Sequence, residues 1–147
     1  MMDDLVQWLH AQLDIDAAKA RAATPGPWVW TAEADVWDQC GPTLIREGTD
    51  APDAELVEVA AGWGHDAWGM NVSSADQAHI AEWDPARVLR EIEAKRQLLT
   101  QYDHAMENRR AHPKDLASAG ALLALHGVLT LLALPYADRP GYREVTG

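Results

Sequence analysis

From Leu116 to Leu134 the chain runs nineteen residues without one formal charge, and that run restricts the fold more than any other feature. An apolar helix of this length belongs in a protein core, in a bilayer or against another copy of itself. Its length is close to that of a membrane span. However, it carries Ser118, Gly120, His126, Gly127 and Thr130, and it lacks a basic flank or an aromatic belt at both ends. The expectation is a soluble core helix with no membrane partner, packed against a second copy in a homodimer through Leu116–Leu134. Pro135 ends the run, and Tyr136 to Tyr142 reads as an ordered tail that folds back by its two Tyr.

The rest of the chain is punctuated by firm stops. Leu5, Trp8, Leu9, Leu13 and Ala17 recur at helical spacing, with Asp3 and Asp4 at one end and Lys19 and Arg21 at the other, as the helix dipole favours. Thr24-Pro25-Gly26-Pro27 closes that helix. Short β-prone pieces follow: Trp28 to Thr31, Val36-Trp37, Thr43 to Arg46, Glu55 to Val59 and Met70 to Val72. They predict a small antiparallel sheet of three or four strands that needs helical cover on one face. Helical signals return with the capping box Ser74-Ala75-Asp76-Gln77, and again at Asp84-Pro85, an N-cap followed by Pro at the first helical position. Val88, Leu89, Ile92, Leu99, Tyr102 and Met106 mark the apolar stripe of the helix that follows. The 147 residues, 48% of them hydrophobic, suffice for one core and hardly for two. The expected fold is therefore α+β in a single domain over 1–147: a helix over 1–24, a sheet module over 28–72, a helical part over 74–134 and a tail over 135–147.

Charge is segregated along this order. Residues 28–86 hold twelve carboxylates against the single base Arg46, which accounts for the whole net charge of -11, and six of the seven Trp lie in the same stretch. So acidic a chain lacks the footprint of a direct nucleic-acid binder. Solvation is the plainest use of an acidic face. The sharper one is a surface for a basic protein partner, or a mimic of nucleic-acid charge, and Asp35, Trp37, Asp38, Glu55 and Glu58 are the candidates for contact with the partner.

No catalytic set emerges. The chain has one Cys, Cys40, beside Gly41 in a turn, and no nucleophile elbow, phosphate loop or dinucleotide fingerprint. None of the six His pairs at i, i+4. His65, Asp66 and His79 would meet only if a loop folded back, so no metal and no cofactor is expected. Asp14 and Asp16, like Glu91 and Glu93, are two apart on helices and face different ways. One constellation has binding chemistry. His79 and Trp83 are at i, i+4, Arg87 and Arg90 fall in the first turns of the next helix, and Trp28 and Trp30 supply further rings. Such a set stacks a base and pairs with a phosphate, although Trp at helical spacing also serves ordinary packing.

Several strings carry a resemblance: Gly26-Pro27-Trp28; Ala78-His79-Ile80-Ala81; Asp84-Pro85-Ala86-Arg87-Val88-Leu89-Arg90-Glu91 with Glu93-Ala94-Lys95-Arg96; and Leu132 to Glu144, LALPYADRPGYRE. In this order the chain resembles an uncharacterised family of small proteins encoded by actinobacteria and their phages. The start with GPW and the helix HIA…DPA.VL are similar, more loosely, to phage accessory proteins of unknown role. The resemblance implies a cytoplasmic accessory protein and no mechanism. Members of that family carry a Cys-rich segment before the final string, where this chain has Ala105 to Thr130 and no Cys, so zinc binding does not carry over. The leading expectation is a non-enzymatic binding or inhibitor protein that offers its acidic Trp-rich module to a basic host protein. The alternative is a protein that binds or sequesters a small anionic, nucleotide-like ligand at Trp28, Trp30, His79, Trp83, Arg87 and Arg90.

Overall fold

A computed structural model describes residues 2–30, 44–48 and 74–147. The strand candidates Val36-Trp37, Glu55 to Val59 and Met70 to Val72 lie outside these residues, as do Asp35, Trp37, Asp38, Glu55 and Glu58. In chain order the described elements are α1 (Met2–Ala22), β1 (Trp28–Trp30), β2 (Leu44–Arg46), α2 (Ser74–Glu82), α3 (Pro85–Ala111), α4 (Leu116–Ala133), a single 3-10 turn (Leu134–Tyr136) and α5 (Tyr142–Thr146). The fold is mostly helical with a small antiparallel sheet, in the α+β class. The chain divides into two compact units, Met1–Ala18 with Glu91–Gly147, and Lys19–Arg90.

The first unit is helical and its core follows the expected stripes. Leu5, Leu9, Leu13 and Ala17 of α1 are buried, with Ile92, Leu99 and Tyr102 of α3 and Leu129 and Ala133 of α4. Each buried Leu contributes about 1.5–3 kcal/mol through the apolar area it removes from water. Leu9 and Leu13, Lys95 and Leu99, and Leu132 and Tyr136 surround one point, so α1, α3 and the end of α4 converge there. Asp115 caps α4. Its carboxylate accepts from the N–H groups of Ala117 (3.1 Å) and Ser118 (3.0 Å), and these two bonds lower its pKa below the usual 3.8.

One expectation is corrected here. Leu116–Leu134 is not a core helix among the described residues, because α4 buries only Ser118, Leu129 and Ala133. The run is apolar all round, yet among the described residues only one of its sides has neighbours. Leu116, Leu123, Leu131 and Leu134 point away from them. The helix is long and apolar enough to cross a membrane by length and composition.

The second unit carries the sheet. β1 and β2 pair antiparallel in the register Trp28↔Arg46, Val29↔Ile45 and Trp30↔Leu44. Leu44 is buried, while Val29 on the opposite pleat is exposed, the alternation expected of a sheet wetted on one side. Trp30 ties β1 to α2 by donating its indole N–H to the Gln77 carbonyl at 2.8 Å. The start of α3 is capped as the sequence predicts: Asp84 Oδ1 accepts from the Arg87 N–H at 2.9 Å, and Pro85 occupies the first turn. Gly26 lies directly against this cap. A Cβ there would overlap Asp84 Oδ1 and come within 2.8 Å of Asp84 Cγ, so only glycine fits. The GPW and DPA strings are thus the two halves of one packing contact.

Candidate functional site

The clearest surface feature of the second unit is a short ladder of side chains at the junction of α2 and α3. His79 stands one turn before Trp83, with ring centroids 6.0 Å apart and planes at 47°. The Arg87 guanidinium carbon lies 4.3 Å from the centre of the Trp83 ring. The spacing makes this arrangement. Trp83 closes the last turn of α2 by donating its N–H to the His79 carbonyl at 3.0 Å. Asp84 then stops one helix and caps the next, which puts Arg87 in the first turn of α3. Trp83 remains 45% exposed, so the indole contacts both neighbours and is still open to solvent. Arg87 Nη1 also bonds Glu82 Oε1 at 2.5 Å. The guanidinium is therefore held in place and its charge is already balanced.

The other predicted ligand residues divide around this ladder. Trp28 and Trp30 are half-buried in β1, and their indole N–H groups are committed to backbone carbonyls, Thr24 at 2.9 Å and Gln77 at 2.8 Å. They fasten the sheet to its surroundings. Arg90 is exposed on α3. Of the six residues proposed to line a pocket, His79, Trp83 and Arg87 are brought together as a plate, while Trp28 and Trp30 serve as struts. The candidates Asp35, Trp37, Asp38, Glu55 and Glu58 fall outside the described residues. So do Cys40, His65 and Asp66. Among the described residues, no group of three His, Cys, Asp or Glu could hold a metal ion.

The first unit contains a denser polar cluster that sequence reasoning missed. Arg139 reaches back to α1, where Nη2 bonds Asp16 Oδ1 at 2.5 Å and Nη1 bonds Gln12 Oε1 at 3.1 Å. Its guanidinium carbon lies 4.6 Å from the centre of the Tyr136 ring. Trp8 donates its indole N–H to the Pro140 carbonyl at 2.9 Å and packs edge-on against Tyr136 and tilted against Tyr142. Gly141 adopts φ 87°, and a Cβ there would come within 2.8 Å of Trp8 Nε1. The two Tyr do fold the tail back, as the sequence suggests. Burial first, and the neighbouring Asp16 carboxylate second, raise the Tyr136 pKa above its usual 10.0. The signal available in the sequence was the i, i+4 pair Gln12 and Asp16, two polar groups on the apolar side of α1. This cluster closes on itself and works as a latch. Beside it residues 137–144, the turn before α5 and its first residues, border an open depression of about 420 Å³.

Fold and site together define a small, mostly helical α+β protein with an exposed aromatic and cationic plate. Over residues 2–145 the chain matches the profile of a family of unknown function, DUF6221, and it belongs to that family. No curated protein and no solved structure matches it.

Proposed function

We propose that the protein is a non-enzymatic accessory protein that binds a basic protein partner, with Trp83 as the anchor. The observation that carries this reading is the Trp83 indole, in contact with His79 and Arg87 and 45% exposed. A rigid, half-open Trp is the kind of residue that dominates binding energy when a partner covers it. The charge for a basic partner comes from the acidic module, since residues 28–86 carry the whole net charge of -11. Beside Trp83 itself, Asp76 is exposed on α2 and Arg90 on α3, while Glu82 is paired with Arg87. The reading includes the acidic module over 28–72 as a sheet of three to four strands, with Asp35, Trp37, Asp38, Glu55 and Glu58 extending the partner surface. It also includes a single domain over 1–147, a cytoplasmic location and an origin among actinobacteria and their phages.

The second reading, a small anionic ligand stacked on Trp83, draws on the same cation–π geometry. It is less favoured because Trp28 and Trp30 have spent their indole donors and Arg87 its charge. The test compares wild type with Trp83→Ala as baits in a host lysate, at low and at high salt. A basic protein retained by wild type, lost with Trp83→Ala and weakened by salt supports the proposal. No difference between the baits refutes it. A thermal shift with mononucleotides that disappears in Arg87→Ala selects the second reading instead.

A further inference from the structure

The exposed side of α4 has an order of its own. Leu116, Gly120, Leu123, Gly127, Leu131 and Leu134 follow one another at steps of three and four, so they form a single stripe along the helix. The leucines are open to water, Leu116 at 86%, Leu123 at 69% and Leu131 at 65% of their surface. Each helical glycine sacrifices about 1 kcal/mol relative to alanine. Among the described residues, no atom comes within 4 Å of a Cβ built at Gly120 or Gly127. Neither glycine is required by the packing of the described residues, and among them both leave the backbone open to close approach.

The stripe is also symmetric. About the midpoint between Leu123 and Ala124, Leu116 mirrors Leu131 and Gly120 mirrors Gly127. We propose that α4 pairs antiparallel with α4 of a second copy across a two-fold axis at Leu123 and Ala124. In that arrangement each Leu116 lies beside the partner copy's Leu131, and each Gly120 faces the partner copy's Gly127, where the backbones come closest. Residue i meets j and j meets i, the condition for an isologous interface. The helix dipoles oppose one another, which favours the pairing. The four exposed leucines supply on the order of 500 Å² per copy, and the pair buries about the 1,000 Å² that a specific interface requires. The stripe bears no charge, so nothing on it selects an acidic or a basic partner. A bilayer is the less suitable cover. The inner side of α4 is built into its unit through Leu129 and Ala133, and His126 packs on Tyr102 of α3 at 6.5 Å. The same helix α3 exposes Asp103, Glu107 and Arg110. To enter lipid, α4 would have to leave that packing or draw these charges with it.

This inference is independent of Trp83. The test is the molar mass of the full chain by light scattering and sedimentation at about 100 μM. Wild type is expected at twice the chain mass. Leu123→Glu, at a position where the folded chain makes little contact, is expected at the chain mass with unchanged circular dichroism, its dimerisation weakened by about a hundredfold or more. Orientation is read in a Cys40→Ser background, where an oxidised mixture of Leu116→Cys and Leu131→Cys chains should form the mixed disulfide in preference to either like pair. A monomeric wild type, or a dimer indifferent to Leu123→Glu, overturns the proposal. So does cross-linking of Leu116→Cys chains with themselves, which signals parallel pairing. Flotation of wild type but not Leu123→Glu with phosphatidylcholine vesicles shows that lipid covers this face and also overturns it.

Discussion

Replacing Arg139 by Met tests whether the C-terminal string is held to α1 by the Arg139 latch. Methionine keeps an unbranched stem over Tyr136 and deletes the guanidinium. Three interactions go. The bond to Asp16 joins side chains that are 25% and 23% exposed, intermediate between a surface pair worth under 1 kcal/mol and a buried one whose breaking costs several, so about 1–2 kcal/mol is expected from it. The contact with the Tyr136 ring adds about 0.5–1 kcal/mol. The bond to Gln12 adds about 1 kcal/mol, because Gln12 is buried and would be left short of a partner. Urea denaturation should therefore place Arg139→Met about 2.5–4 kcal/mol below wild type. Hydrogen exchange should show protection falling first in residues 137–147. A double-mutant cycle with Asp16→Asn isolates the pair, for which a coupling of about 1–2 kcal/mol is expected. A coupling near zero, or an unchanged exchange pattern in the tail, would refute the latch.

Gly26→Ala should cost about 1–3 kcal/mol by forcing Asp84 off its capping position. In the Asp84→Ala background the penalty should shrink, because the clashing carboxylate is gone while the Ala86 backbone nitrogen, 3.0 Å from such a Cβ, remains; denaturation of the three variants decides. Trp83→Ala should shift the unfolding midpoint little, since the ring is half-exposed, while abolishing partner capture. A large loss of stability would make Trp83 a packing residue and not an anchor. In acid, the pKa of Asp115 is lowered by folding, so its contribution is present above the usual carboxylate range and is lost as pH falls through the folded value. The stability difference between wild type and Asp115→Ala should accordingly shrink in that window. In alkali, the raised pKa of Tyr136 works in the opposite sense. Its contribution is complete below about pH 10 and is lost as pH rises through the folded value, which a Tyr136→Phe comparison across that range would show as a flatter profile.

How much was legible in the sequence differs between elements for physical reasons. The stripes of α1 and α3 came directly from spacing, because a helix repeats its buried side every three to four residues and both helices have one clear apolar side. The stop at Thr24 to Pro27 and the start at Asp84-Pro85 were equally plain, being local chemistry of caps and proline. β1 and β2 were expected at their places. α4 was misjudged because an all-apolar helix has no periodic contrast to tell which side is covered. The candidate site was half legible. The i, i+4 pair His79 and Trp83 and the following Arg87 do meet, since both helix spacing and the cap that joins the helices are local. Trp28 and Trp30 were grouped with them by residue type, and hydrogen bonds to Thr24 and Gln77, invisible in the sequence, give them a different task.

By itself the sequence determined the places of α1 to α4, the cap at Asp84-Pro85, the confinement of all net charge to residues 28–86 and the membership of a family that its strings already suggested. These depend on residues close together in the chain. Only the tertiary structure decided that Arg139 reaches Asp16, that Gly26 seats on the Asp84 cap and that the leucines of α4 face outward. Each of these joins residues distant in sequence or depends on which side of a helix finds neighbours, and three-dimensional packing alone sets that.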